Sequence, residues 1–250
     1  AGKGSRLYPI SRAMPKELIQ FCGVPIIEYG INFLRENGIK DIIITVGIKK
    51  GSLIDYLGNG EMFGVNIAYV IQEQPKGLGH SVLITEPYID SDDFILLLGD
   101  TIFIGENDLK EMIDIHKKHK SSATILVEHV KEPERYGVVK FDMLSGYSNV
   151  HKILSLYEKP KDPKIKDDFK IDDGWYAIAG LYILNKNIFN FLKCTTEDMN
   201  NEIQLTDAIK LSLENGNTII GHILNGKRID VGTWNYLKDE RNFYINMAED

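Results

Sequence analysis

The chain has 250 residues, 36 acidic against 29 basic, and a formal net charge of −7. Its hydrophobic share of 43% and charged share of 26% are those of an ordinary globular protein, long enough to bury a sizeable core in one large domain or two small ones. The acidic excess argues against nucleic acid as the main partner, and no apolar run approaches the ~20 residues that a membrane span needs.

In chain order, residues 25–37 carry Ile26, Ile27, Tyr29, Phe33 and Leu34 near helical spacing, with Gly38 placed to end the helix. Residues 42–46 and 65–71 read as strands, 79–86 as a short helix and 94–98 as a buried strand. The pattern of 108–120 predicts a helix with Leu109, Met112, Ile113 and His116 on one face and Asp108 and Glu111 as a capping box. A strand follows at 123–128. Further strands are expected at 136–141, 150–157 and 175–184, partly antiparallel, with 162–173 a charged surface loop. Residues 205–215 read as a helix with Thr206 as N-cap and Gly216 as the stop, 219–224 as a strand, and a closing helix starts near Trp234. Strands alternating with helices predict an α/β protein with a mixed, mostly parallel sheet covered on both faces. Cys22 and Cys194 stand in no metal or redox spacing and read as reduced thiols of a cytoplasmic protein. His116, His119 and His222 show no ligand spacing and read as surface or packing residues.

The first seventeen residues, AGKGSRLYPISRAMPKE, carry the densest chemistry. Gly2 and Gly4 let backbone N–H groups approach an anion, and Arg6 and Lys16 bring two cations to the same loop, a sound triphosphate cradle. A dinucleotide fingerprint would need glycine where Leu7 stands, and a Walker loop is absent. Asp100 ends an apolar strand, where ligands bind in open α/β sheets, and its carboxylate suits magnesium. Asp230, in Asp-Val-Gly-Thr, offers a second carboxylate after a strand, although Asp-x-Gly alone is a weak turn motif. Gln74 can exchange a pair of hydrogen bonds with the amide edge of a pyrimidine. Glu158 and Lys159, taken alone, read as a solvated pair on a strand.

The run of Gly2, Gly4, Ser5, Arg6, Leu7, Pro9, Ser11, Pro15 and Lys16 resembles the signature of the sugar nucleotidyltransferases, also called nucleotide-sugar pyrophosphorylases. That resemblance implies a Rossmann-like three-layer α/β/α fold and one nucleotidyltransferase domain over 1–250. Its nucleotide-binding half would run to about residue 130 and its sugar-binding half from about 131. Arg6 and Lys16 would act on the nucleotide phosphates, with Ala1, Gly2, Gly4 and Ser5 beside them. Gln74 and Gly77 would read uracil or thymine, and Asp100 and Asp230 would hold Mg2+. Gly137 would leave room for the sugar ring, Glu158 would bind sugar hydroxyls, Lys159 the sugar phosphate, and Glu202 would approach the sugar. The family places a buried strand before the glycine loop, and this chain begins inside that motif, so the strand is expected to be missing from it.

Residues 201–209, with Glu202-Ile-Gln-Leu-Thr-Asp, resemble the bacterial-type UTP–glucose-1-phosphate uridylyltransferases, whereas Gly99-Asp-Thr-Ile-Phe103 is similar to the thymidylyltransferase branch. The resemblance thus implies UTP and glucose-1-phosphate as substrates, with dTTP as the alternative nucleotide, and a homo-oligomer, dimer or tetramer. Two other readings stay open. One is a non-catalytic nucleotide-sugar sensor on the same fold. The other is a glycosyltransferase, which would carry Asp-x-Asp where this chain has Asp100-Thr-Ile.

Overall fold

The computed structural model describes residues 5–105, 108–144, 146–232, 234, 239 and 240. Helix α1 (Ile10–Ala13) and a hairpin of β1 (Gln20–Phe21) and β2 (Val24–Pro25) lead into α2 (Ile26–Glu36). Then come β3 (Asp41–Gly47), α3 (Gly51–Leu57), β4 (Asn66–Gln72), α4 (Gly77–Leu83), β5 (Asp93–Leu97) and β6 (Thr101–Ile104). They are followed by α5 (Asp108–His119), β7 (Ala123–Val130), β8 (Gly137–Met143), β9 (Val150–Glu158), α6 (Pro163–Phe169) and β10 (Trp175–Asn185). Last are α7 (Ile188–Cys194), α8 (Leu205–Glu214), β11 (Ile219–Ile223) and β12 (Lys227–Asp230). The chain folds into two compact units, one made of Ala1–Pro75, Leu97–Glu106 and Gly226–Asp250, the other of Lys76–Leu96 and Asn107–Asn225.

In the first unit, β3 and β4 pair in parallel from Asp41↔Asn66 to Gly47↔Gln72, with α3 in the crossover that parallel strands require. Ile27 and Ile31 of α2 pack with Val46, Leu53, Leu57, Phe63 and Val65. Helix α2 ends in a Schellman pattern: Gly38 N–H donates to the Arg35 carbonyl at 2.9 Å and Ile39 N–H to the Leu34 carbonyl at 3.0 Å. Strands β6 and β12 pair antiparallel, Thr101 opposite Asp230. Leu7, Ile19, Phe21 and Ile26 close a second apolar cluster with Ile102, Ile229 and Val231, which fastens the signature segment to β6 and β12.

The second unit is built on a mixed sheet in the order β5-β10-β7-β11-β9-β8, with β10 also meeting β8. β11 runs parallel to β7, while β9 pairs antiparallel with β11 and β8, and β10 antiparallel with β7 and β8. Its core takes Ile125, Val127, Val139, Ile153 and Leu156 from the strands and Ile188, Phe189, Leu205, Ala208 and Ile209 from α7 and α8. The α/β class and the antiparallel share of the second half follow the sequence reading, and most element ends fall within two residues of it. The expected mostly parallel sheet is corrected: β3–β4 and β7–β11 run parallel, whereas β1–β2, β6–β12, β7–β10, β8–β10, β8–β9 and β9–β11 run antiparallel, joined in the second half largely without helical crossovers. Among the described residues no helix is long and apolar enough to cross a membrane.

Four local readings are corrected. Within the expected loop 162–173 lies α6, where Asp162 accepts the Lys164 N–H at 2.9 Å as N-cap and Pro163 opens the helix. Thr206 does not cap α8; Gln204 holds the N-cap position, and the Thr206 hydroxyl turns to Glu158. Asp108 lies inside α5, and its buried carboxylate accepts Asn225 Nδ2 at 2.7 Å and shares a 2.9 Å hydrogen bond with His222 Nε2, in place of a capping box. His222 is thereby a partnered core residue. The apolar face of α5 buries Ile115 rather than Ile113. Most of the closing helix expected after Trp234 lies outside the described residues.

Candidate active site

Ala1, Gly2 and Gly4 lie outside the described residues, as does the side chain of Ser5. Arg6 stands exposed on a short 3-10 turn, Ser5–Leu7, held down by Leu7, which is 1% exposed. Lys16 follows Pro15, and its ammonium is ion-paired with the Asp100 carboxylate, 84 residues on. Burial works to lower the Lys16 pKa, but Asp100, with Glu17 and Asp230 adding, outweighs it and the net shift is upward. Burial likewise works to raise Asp100, and Lys16 more than reverses it, so that carboxyl titrates below its ordinary range. Both groups stay charged near neutral pH.

Asp230 arrives beside them because the β6–β12 register sets it opposite Thr101, and the Val231 N–H donates to the Asp100 carbonyl at 3.1 Å. Its Oδ1 accepts the Gly232 N–H at 2.8 Å. A Cβ at Gly232 would stand 2.8 Å from Asp230 Oδ1 and 3.5 Å from Asp100 Oδ2. Both carboxylates therefore lie beside Gly232, where a side chain would crowd Asp230. Two neighbouring carboxylates suit magnesium, which binds one or two carboxylates and takes its other ligands from phosphate and water. Among the described residues no group of three or more His, Cys, Asp or Glu is placed to hold a metal by itself. Next to this cluster, Lys50 Nζ donates to both Glu17 oxygens at 2.7 and 2.5 Å, largely out of solvent. The sequence reading gave that pair no role. Gln74 is exposed just past β4.

The second unit carries the other group. Glu158 ends β9 opposite Gly137 of β8. Its Oε1 takes the Lys159 ammonium at 2.8 Å and its Oε2 accepts the Thr206 hydroxyl at 2.7 Å. Lys159 has φ 47°, an uncommon left-handed value for a side chain this large, and its N–H donates to the Tyr136 carbonyl at 2.9 Å. A Cβ on Gly137 would lie 2.7 Å from Thr206 Oγ1 and 3.0 Å from Glu158 Oε2, so glycine there admits the Thr206–Glu158 bond. Glu202, in the loop before α8, accepts Gln204 Nε2 at 3.1 Å. Gly77 packs beneath that loop: its Cβ would fall 2.7 Å from the Ile203 carbonyl oxygen and 2.9 Å from Glu202 Cβ.

The first unit thus assembles Lys16, Asp100 and Asp230. The second assembles Gly137 with Glu158 and Lys159, and Gly77 with Glu202. Sequence reasoning missed Thr206 as a partner of Glu158 because the local signal at a helix start reads as a cap.

A family model described as nucleotidyl transferase matches residues 1–246. The chain is 36% identical over 244 residues to the bifunctional protein GlmU of Methanococcus maripaludis, covering 97% of this chain and 53% of that one. It is 32% identical to a glucose-1-phosphate thymidylyltransferase of Neisseria meningitidis, covering 97% and 79%. A solved structure of UDP-glucose pyrophosphorylase complexed with UDP-glucose superposes with a TM-score of 0.86 at 30% identity, over 98% of this chain and 96% of that one. The chain spans about half the length of the GlmU relatives it matches. A family match over nearly the whole sequence, with the signature cations and strand-end carboxylates in place, settles membership: the chain belongs to the nucleotidyl transferase family.

Proposed function

We propose that this chain transfers a uridylyl group from UTP to glucose-1-phosphate, forming UDP-glucose and releasing pyrophosphate. The observation that carries the reading is that Asp100 and Asp230 lie together beside Gly232, with Lys16 paired to Asp100. An oxygen of the sugar phosphate attacks the α-phosphorus, the bond to the β-phosphate oxygen breaks in line, and pyrophosphate takes the electron pair. The nucleophile is already ionised, so no general base is needed. Two anions must meet, so charge neutralisation and positioning dominate the barrier. Arg6 and Lys16 neutralise triphosphate oxygens, Lys159 holds the sugar phosphate, and Glu158 and Glu202 accept hydrogen bonds from sugar hydroxyls. Asp100 and Asp230 would hold a magnesium ion, which when bound supplies further charge neutralisation at the phosphates. Gln74 and Gly77 serve the base.

The structural likeness to a UDP-glucose pyrophosphorylase supports uridine as the base and glucose as the sugar. A second reading, dTTP as donor, is favoured by the thymidylyltransferase relative, 79% of whose length is covered. The two bases differ by one methyl group, a contact that discriminates only ~10–200-fold. The test is pyrophosphate release with magnesium, a panel of triphosphates and several sugar-1-phosphates. UTP with glucose-1-phosphate is expected to give the highest kcat/KM. A higher value with dTTP selects the second reading. No sugar-phosphate-dependent release from any pair would overturn both and leave the nucleotide-sugar sensor.

A further inference from the structure

Glu202 sits in the loop before α8. The loop that carries it is organised around one side chain, Asp198. Asp198 Oδ1 accepts the backbone N–H of Asn200 at 2.7 Å and of Glu202 at 3.1 Å. Its Oδ2 accepts Gln204 Nε2 at 3.0 Å, and the same amide nitrogen donates to Glu202 Oε2 at 3.1 Å. The backbone closes the ring from the other side, Asp198 N–H donating to the Glu202 carbonyl at 2.8 Å and Asn201 N–H to the Asp198 carbonyl at 2.9 Å. Asn201 takes the left-handed φ of 58° that the turn demands and that asparagine tolerates.

The far end of the loop is fixed to α4. Ile203 N–H donates to the Lys76 carbonyl and Gly79 N–H to the Ile203 carbonyl, each at 2.8 Å, and Lys76 pairs with Glu197 at 3.0 Å. Gln204 is buried, so its amide has little freedom to turn away from the two carboxylates it bridges. Burial works against the Asp198 charge, but hydrogen bonds from Gln204 and from the backbone of Glu202 and Asn200 outweigh it, and the carboxyl titrates below its ordinary range.

We infer that Asp198 is a positioning residue for sugar-phosphate recognition: it shapes the loop and, through Gln204, sets the direction of the Glu202 carboxylate. The inference rests on Glu202 contacting the sugar in the proposed reaction. An aspartate does this where an alanine cannot, because three donors converge on its two oxygens.

The experiment is steady-state pyrophosphate release by wild type, Asp198→Ala, Asp198→Asn and Glu202→Gln, with a thermal midpoint for each. Asp198→Ala is expected to raise KM for glucose-1-phosphate about tenfold, the size of one lost charge-assisted hydrogen bond. KM for the triphosphate and kcat should stay within about twofold. Asp198→Asn keeps an acceptor for the two backbone N–H groups but sets its own amide NH2 against the Gln204 amide, so the KM for glucose-1-phosphate should stay raised, by less than in Asp198→Ala. An unchanged sugar-phosphate KM, or equal losses for both substrates, overturns the assignment, whatever happens to the thermal midpoint. If Asp198→Ala does not fold, Asp198→Asn decides, a sugar-phosphate KM equal to wild type being the overturning result. Wild-type turnover with a normal KM in Glu202→Gln removes the sugar contact itself and the assignment with it. No product from wild type with any pair defeats the proposed function first.

Discussion

The two units hold most of their candidate-site carboxylates by different means. In the first, charge meets charge: Lys16 pairs with Asp100 and Lys50 with Glu17, all largely out of solvent. In the second, Glu158, Glu202 and Asp198 are held mainly by uncharged donors, namely the Thr206 hydroxyl, the Gln204 amide and backbone N–H groups, with Lys159 the one cation among these contacts. Burial, with Glu158 next, pushes Asp207 up there. The contrast matches two recognition tasks. Phosphates are anions and call for full charges, whereas sugar hydroxyls are neutral and call for acceptors pointed in fixed directions.

The sharpest way to break this comparison is to remove a charge from the first unit. Asp100→Asn is expected to lower turnover ~10²–10³-fold while the chain stays folded, read by pyrophosphate release alongside circular dichroism. Near-normal turnover would detach Asp100 from the chemistry. Next in size is Glu17→Ala, which leaves the Lys50 ammonium without its partner in a largely buried place. Breaking such a pair costs about 3–5 kcal/mol, measurable in urea unfolding, while Glu17→Leu with Lys50→Met together should cost much less.

In the second unit, Gly137→Ala forces a methyl against Thr206 Oγ1 and Glu158 Oε2. A stability loss of about 1–3 kcal/mol is expected, together with a raised KM for glucose-1-phosphate and an unchanged KM for UTP. Parallel rises in both KM values would contradict the assignment of Gly137, Glu158 and Lys159 to the sugar phosphate.

The smallest effect is a pH dependence of stability. Burial lowers the pKa of His151, with His222 adding, and lowers that of His116 against the opposing pull of Asp93. The unfolded chain, with histidines near 6.5, therefore binds more protons than the folded one just below that pH. Stability should be full above 6.5 and fall as pH drops toward the lowered folded values. The thermal midpoint measured from pH 7.5 to 5.5 checks this, and His151→Gln should flatten the slope.

Local signals in the sequence reached as far as local causes reach. Gly38 after a periodic apolar run marked the end of α2, and Asp100 and Asp230 were visible as carboxylates following strands. What escaped is set by distant partners. Thr206 looks like an N-cap until Glu158, 48 residues earlier, is brought to its hydroxyl. Asp108 looks like half of a capping box until Asn225 and His222 arrive 117 and 114 residues later. The helix α6 is a different kind of miss: Asp162-Pro163 is an N-cap followed by an N1 proline, a signal the high local charge obscured.

The proposed reaction is attack at the α-phosphorus. UTP labelled at the α-phosphate, incubated with glucose-1-phosphate and magnesium, tests it directly. The label is expected to pass into UDP-glucose, with pyrophosphate released unlabelled in equal amount and little of either formed by Asp100→Asn. Labelled UMP or UDP without any labelled nucleotide sugar would contradict it.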